Sequence, residues 1–213
     1  MFHPNVKQEV NIKGLFQVLR KPRQQSFVTI VSGLPRSGTS MMMKMLEIGG
    51  IPPLTDNLRT ADTDNPKGYY EFERVKKLPD GDKDWMKEAE GRVVKIISAL
   101  LEHLPSAYTY KVIFMRRQME EILASQKQML IRSGKPTDKV SDEKLAEMYN
   151  KHMGKISSWL AAQPNISVLY VDYNSMLKDP LPHIEQINHF LGISLDTMKM
   201  AEVVDPNLYR NRR

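Results

Sequence analysis

The stretch TIVSGLPRSGTSMMMKML, residues 29–46, constrains the fold more than any other part of the 213-residue chain. Its apolar start, Phe27–Ser32, predicts a strand buried on both faces, and the apolar segment from Gly38 onward predicts a helix. Gly33 and Gly38 have the spacing of the phosphate-binding pattern G-x-x-x-x-G-K-[ST], but Thr39 stands where that pattern has lysine. The stretch therefore predicts a strand, a phosphate-sized loop and a helix, without the lysine that contacts nucleoside triphosphates.

The remaining apolar segments alternate between strand-like and helix-like patterns. This alternation predicts an α/β fold in which a mostly parallel central sheet lies between two layers of helices. Ligands of such sheets bind at the carboxyl ends of the strands, where the glycine loop and Arg116-Arg117 are both expected. The predicted strands are Arg92–Ser98, Tyr110–Arg117 and Ile166–Tyr173, and the predicted helices are Tyr69–Leu78, Gln118–Arg132, Asp142–Ala162 and Pro182–Leu191.

Composition limits the classes of function. The absence of cysteine excludes thiol nucleophiles and zinc fingers, and none of the five histidines forms a pair with metal-ligand spacing, so no metal is expected. A formal charge of +6 suits an anionic ligand. No apolar run approaches the roughly 20 residues of a membrane span, and the N-terminus has no signal-peptide core, so we expect a cytoplasmic protein.

We expect a single domain over residues 1–213, with an N-terminal extension (1–25) and a basic C-terminal tail (207–213).

The loop GLPRSGTS retains groups that hold a phosphate. Amides at a helix N-terminus bind phosphate oxygens, and the hydroxyls of Ser37, Thr39 and Ser40 can add hydrogen bonds. Arg36 adds a positive charge suited to a second anionic group. A glycine-rich turn without a ligand is the alternative, but the flanking strand and helix favour an anion site.

This loop resembles the 5′-phosphosulfate loop of the sulfotransferases that use 3′-phosphoadenosine 5′-phosphosulfate (PAPS), in the branch with arginine in the loop. The resemblance implies a three-layer sulfotransferase architecture similar to that of P-loop NTPases. It implies PAPS as the donor, 3′-phosphoadenosine 5′-phosphate (PAP) as the product, and no metal. The loop residues that it assigns to the donor are Pro35, Arg36, Ser37, Gly38, Thr39 and Ser40.

Later segments extend the resemblance. In FMRRQMEEILASQ, Arg117 and Ser125 have the separation of the family's 3′-phosphate ligands, although Gln118-Met119 replaces the usual Asn-Pro or Asp-Pro. Two helical turns would bring both residues to one face. DNPKGYYE resembles a bacterial segment that follows the loop. VLYVDYNSMLKDPLPHIEQINHFLGI resembles the family's late strand and helix, with Asn174-Ser175 where acidic residues are usual.

Two further roles follow from this resemblance. The acceptor hydroxyl needs a base, for which Glu71 in DNPKGYYE is the first candidate and Glu73 the second, while Arg36 would stabilise the leaving phosphate. Lys95 could assist at the sulfuryl group or simply end the polar face of a strand. The tail residues Tyr209 and Arg210 could close over the nucleotide, as C-terminal residues do in some relatives, and a solvated tail is the alternative.

The partner is expected to be a hydroxyl on a small molecule or a peptide. Nucleic acid is not expected, because the sequence has no basic stripe interleaved with aromatic residues. Two other functions stay open at this stage. One is a degenerate P-loop kinase or NTPase, for which Asp172 is the candidate magnesium ligand, and the other is a non-catalytic nucleotide-binding module.

Overall fold

The computed structural model of the protein describes residues 27–56, 70–137 and 139–204. The predicted extension (1–25) and tail (207–213), with Tyr209 and Arg210, lie outside the described residues.

The described residues form one four-stranded sheet with the order β2-β1-β3-β4, and all its pairings are parallel. Every residue of β1 is buried, as expected for a parallel strand covered on both faces. The predicted parallel sheet is confirmed. The strands are β1 (Val28–Gly33), β2 (Val93–Lys95), β3 (Tyr110–Arg116) and β4 (Ile166–Asp172).

Helices follow the strands in the order that the sequence pattern predicts. Two short 3₁₀ helices, Glu73–Lys77 and Ser98–His103, accompany them. The α-helices are α1 (Thr39–Gly49), α2 (Met86–Ala89), α3 (Met119–Arg132), α4 (Asp142–Ala161), α5 (Tyr173–Lys178), α6 (Pro180–Leu191) and α7 (Thr197–Glu202).

Several boundaries differ from the predicted ones for local reasons. β2 is shorter than predicted, because the chain leaves the sheet after Ile96 and winds into the second 3₁₀ helix. α6 begins at Pro180, before the predicted start, since proline is tolerated in the first turn of a helix. The short helices α2, α5 and α7 were not predicted, although the side chains of Asp172 and Asp196 cap the N-termini of α5 and α7.

The sheet separates two hydrophobic cores, which confirms the three-layer arrangement. On one face, Val31 and Ile113 pack with residues of α1, α6 and α7 such as Met42. On the other face, Ile30 and Phe114 pack with Ile156 of α4 and with the segment that carries Trp85. The alternation of side chains along each strand assigns neighbouring residues to opposite cores. Methionines of α1 fill the first core, as adaptable apolar side chains do.

Among the helices within the described ranges, none has both the length and the apolar composition needed to cross a membrane.

Candidate active site

The glycine loop (Gly33–Gly38) lies where β1 ends and α1 begins, beside the end of β3. Gly33 has φ +146°, and a Cβ there would lie 2.5 Å from Ser37 Oγ and 2.7 Å from the carbonyl oxygen of Met115. Gly38 has φ +98°, and a Cβ there would lie 2.3 Å from the ring of Tyr173. Both positions therefore require glycine, for backbone conformation and for space.

The loop presents polar groups suited to an anion. The N-terminus of α1 has no acidic residue in its first turn and no side-chain cap, and a helix leaves its first amides without intrahelical partners. Ser37 is fully buried, and within the described part of the chain its hydroxyl has no hydrogen-bond partner. Buried hydroxyls are almost always hydrogen-bonded, so this one fits a site that a ligand oxygen completes.

Arg36 connects the loop to α3. Its backbone is left-handed, with φ +70°, which is uncommon for a residue with a side chain. Its Nε donates a hydrogen bond to Ser125 Oγ at 2.9 Å, and its carbonyl oxygen accepts one from Arg117 Nη1 at 3.1 Å. The fold thus brings together Arg36, Arg117 and Ser125, the three predicted donor-binding residues that are distant in sequence.

Arg117 is part of a buried ion pair. Its side chain is 8% exposed, and its Nε lies 2.8 Å from Oε2 of Glu121, whose side chain is 1% exposed. Asn174 Nδ2 donates to the other carboxylate oxygen of Glu121 at 2.8 Å. The preceding arginine, Arg116, is exposed and stacks on the ring of Tyr170 at 3.7 Å. Sequence reasoning missed Glu121, although its position four residues after Arg117 is a signal for an ion pair.

A cleft of about 240 Å³ opens beside the loop. It lies between the glycine loop, the segment after β2 and the first 3₁₀ helix, and most of its lining side chains are apolar. The described residues that line it are Leu34, Pro35, Arg36, Thr39, Ser40, Glu71, Phe72, Val75, Lys76, Lys95, Ile97, Leu100 and Met129.

The two candidate bases occupy different positions. Glu71 lines the cleft with a side chain that is 25% exposed, and Lys76 Nζ lies 3.6 Å from its Oε2. Glu73 is 46% exposed, pairs with Lys76 Nζ at 2.6 Å, and is not among the described lining residues. Thr55 Oγ1 donates to the backbone oxygen of Glu71 at 2.8 Å, which ties this segment to the strand-like stretch after α1.

Tyr70 anchors the same segment to α1. Its hydroxyl donates to Glu47 Oε2 at 2.6 Å, and its backbone is left-handed, with φ +52°. Burial and the hydrogen bond to Glu47 raise the pKa of Tyr70 above its ordinary value, so the phenol remains a donor at neutral pH. No sequence pattern indicates this contact, because the two residues meet only across the fold.

Asp172, the candidate magnesium ligand of the alternative kinase or NTPase function, has a structural partner. Its Oδ1 accepts a hydrogen bond from the Ser175 amide at 2.7 Å and caps α5. A carboxylate in this position satisfies a helix terminus, which is a common structural use of aspartate. It therefore provides no argument for a magnesium site.

Comparison with known proteins identifies the family. A family model described as the sulfotransferase domain matches residues 28–211. The chain belongs to the sulfotransferase family. This match supports sulfuryl transfer as the activity of the chain. It also confirms the resemblance that its motifs indicated.

A solved sulfotransferase domain has the same fold as this chain, and two further sulfotransferase-related structures are similar to it at lower TM-scores. The sulfotransferase domain from the curacin biosynthetic pathway superposes with a TM-score of 0.50 at 14% identity, covering 84% of this chain and 78% of that one. Retinol dehydratase in complex with androsterone and inactive cofactor PAP gives 0.46 at 19% identity, covering 83% and 62%. Mouse sulfotransferase SULT7A1 complexed with PAP gives 0.44 at 18% identity, covering 85% and 63%. No curated protein sequence matches the chain.

The crowding at Gly38 yields a test of the loop. We expect Gly38→Ala to destabilise the protein by about 2–4 kcal/mol, because the new methyl group adds a clash with Tyr173 to the strain at positive φ. Gly50→Ala is the matched control, since Gly50 has φ +115° but nothing within 4 Å of its added Cβ. Urea unfolding measures both, and equal losses would contradict the role assigned to the Tyr173 contact.

Proposed function

We propose that this sulfotransferase moves a sulfuryl group from PAPS to a hydroxyl of a small-molecule or peptide acceptor. The observation that carries the proposal is that Arg36 and Glu71 line one cleft beside the N-terminus of α1. A cation for the leaving phosphate and a carboxylate for the hydroxyl proton thus face the same space.

The loop fits the donor's phosphate. Ser37, Thr39, Ser40 and the first amides of α1 would hold the 5′-phosphate, with Pro35 and Gly38 shaping the loop around it. The buried Ser37 hydroxyl supports this fit, since a phosphate oxygen would satisfy it. When bound, the donor supplies an electrophilic sulfur on a good leaving group.

A second phosphate would lie near Arg117 and Ser125. Arg117 is already oriented by Glu121, and Ser125 by Arg36, so both side chains are fixed before the nucleotide arrives. Side chains that are already fixed lose less conformational entropy when the nucleotide binds. Tyr209 and Arg210 remain candidates to cover the nucleotide.

The chain's own residues can perform the two chemical tasks of an in-line transfer. As the acceptor oxygen bonds to sulfur and the bond from sulfur to the donor phosphate oxygen breaks, the Glu71 carboxylate takes the hydroxyl proton. The Arg36 guanidinium balances the charge that develops on the leaving phosphate. Lys95 also lines the cleft and would contact the transferred group.

The lining of the cleft bears on the acceptor. Val75, Leu100 and Met129 are among the apolar residues that line the cleft. Apolar walls with a few polar groups are typical of sites for small organic ligands. We therefore favour an acceptor with an apolar body and one reactive hydroxyl.

The nucleotide preference provides the first test. We expect PAP at 100 times its Kd to stabilise the protein by about 2.7 kcal/mol, a Tm rise of about 5–10 °C, without magnesium. Thermal unfolding with PAP, and with ATP and magnesium, makes the comparison. Stabilisation by ATP and magnesium alone would instead favour the degenerate kinase or NTPase.

The role of Arg36 provides the second test. We expect Arg36→Ala to lower kcat by about 10²–10³-fold, because the charge on the leaving phosphate loses its counter-charge. Arg36→Lys should retain part of the rate, since it keeps the charge but loses the fork geometry. Transfer of radiolabelled sulfate from PAPS to a panel of apolar alcohols measures the rates, and full turnover by Arg36→Ala would remove Arg36 from the mechanism.

The two glutamates provide the third test. We expect Glu71→Gln to lower kcat by about 10²-fold or more with little change in PAP affinity, because only the proton acceptor is lost. Glu73→Gln is the matched control and should stay within about twofold of the parent, since Glu73 lies outside the described lining. Steady-state kinetics separates the two, and a reversed order would assign the base to Glu73.

A further inference from the structure

A buried chain of contacts connects the end of β4 to the glycine loop. Asn174 Nδ2 donates to Glu121 Oε1, Arg117 Nε donates to Glu121 Oε2, and Arg117 Nη1 donates to the carbonyl oxygen of Arg36. Each member comes from a different part of the fold: α5, α3, the residue after β3, and the loop. The chain ends on the residue whose side chain lines the cleft.

Burial restricts these side chains to one arrangement of hydrogen bonds. A carboxylate that is 1% exposed is costly unless both of its oxygens are hydrogen-bonded. Glu121 meets that need with one hydrogen bond from Arg117 and one from Asn174. Because Glu121 occupies the Nε edge of the guanidinium, the Nη1 group of Arg117 is directed to the loop carbonyl.

The neighbour of Asn174 acts on the same loop. The ring of Tyr173 lies 4.5 Å from the guanidinium carbon of Arg117, and it fills the space over Gly38. Tyr173 therefore contacts both the loop and Arg117, while Asn174 contacts Glu121, which pairs with Arg117.

We propose that Glu121 and Asn174 are positioning residues, which fix Arg117 and, through the Arg36 carbonyl, hold Arg36 in its left-handed backbone conformation. The effect of this positioning on catalysis rests on the proposed function, whereas the coupling between α5 and the loop does not. A non-glycine residue at φ +70° persists only where its surroundings impose that conformation.

The chemistry of the pair explains why residue 174 carries an amide. An ionised Glu121 can only accept hydrogen bonds, so its partner must donate. Asn174→Asp would place a second carboxylate against Glu121 and remove the hydrogen bond between residues 174 and 121. Adding Glu121→Gln restores a donor and an acceptor with reversed roles, since the new amide can donate to the aspartate and accept from Arg117.

The experiment compares Asn174→Asp, the double variant Glu121→Gln with Asn174→Asp, and the control Asn188→Asp. Asn188 is matched because its Nδ2 also makes a side-chain hydrogen bond, to Thr197 Oγ1, but between α6 and α7. The first readout is amide hydrogen exchange in the ligand-free protein at Ser37 and Met42, whose amides donate to Leu34 and Gly38. The second readout is the Kd for PAP.

We expect Asn174→Asp to speed exchange at both amides at least tenfold and to raise the Kd for PAP about tenfold. The double variant should return both values to within about threefold of the parent, and Asn188→Asp should leave them unchanged. Unchanged exchange in a folded Asn174→Asp protein would overturn the proposal, as would a double variant that fails to fold or exchanges as fast as the single one. If only Asn174→Asp fails to fold, normal exchange in the double variant supports the proposal.

The two readouts keep the two proposals apart. A parent protein that does not bind PAP, with the expected exchange pattern, would overturn the donor assignment and leave the positioning roles standing. PAP binding that responds to none of the substitutions, with unchanged exchange, would overturn the positioning roles and leave the donor assignment standing.

Discussion

The buried ion pair between Arg117 and Glu121 is the interaction on which the site depends. It joins the end of β3 to the first turn of α3, and its remaining hydrogen-bonding groups reach Arg36 in the loop and Asn174 in α5. Because charges this deeply buried must be matched, small displacements of any member would leave one of them unpaired. The parallel sheet makes the network possible, since β1 and β3 are neighbours and end at the same edge.

The cleft beside this network is lined by both polar and apolar side chains. Arg36 and the hydroxyl residues Thr39 and Ser40 line it together with apolar residues such as Val75, Leu100 and Met129. Glu71 also lines the cleft, on a segment that hydrogen bonds of Tyr70 and Thr55 tie to α1 and to the stretch after it. A rigid support on both sides is what a transfer between two bound groups requires, because reactivity depends on their alignment.

Local sequence patterns were sufficient for much of the fold. The continuous apolar run of β1 and the glycines that follow it predicted a buried strand and a phosphate-sized loop, and both are present. The spacing of Arg117 and Ser125 predicted that they share one face, because helical periodicity is a local property, and both side chains contact Arg36 of the loop. The patterns failed at β2, where the chain turns out of the sheet, and at α2, α5 and α7, which are too short for a periodic signal.

The sequence by itself determined the α/β class, the glycine loop and the family to which its motifs point, since these depend on residue type and spacing. Only the tertiary structure decided that Glu71 rather than Glu73 lines the cleft, that Glu121 and Asn174 support Arg117, and that Tyr70 anchors to Glu47. The physical reason is that burial and hydrogen-bond partners depend on which distant segments meet. For a charged side chain, those neighbours decide whether it is solvated, paired or directed at a ligand.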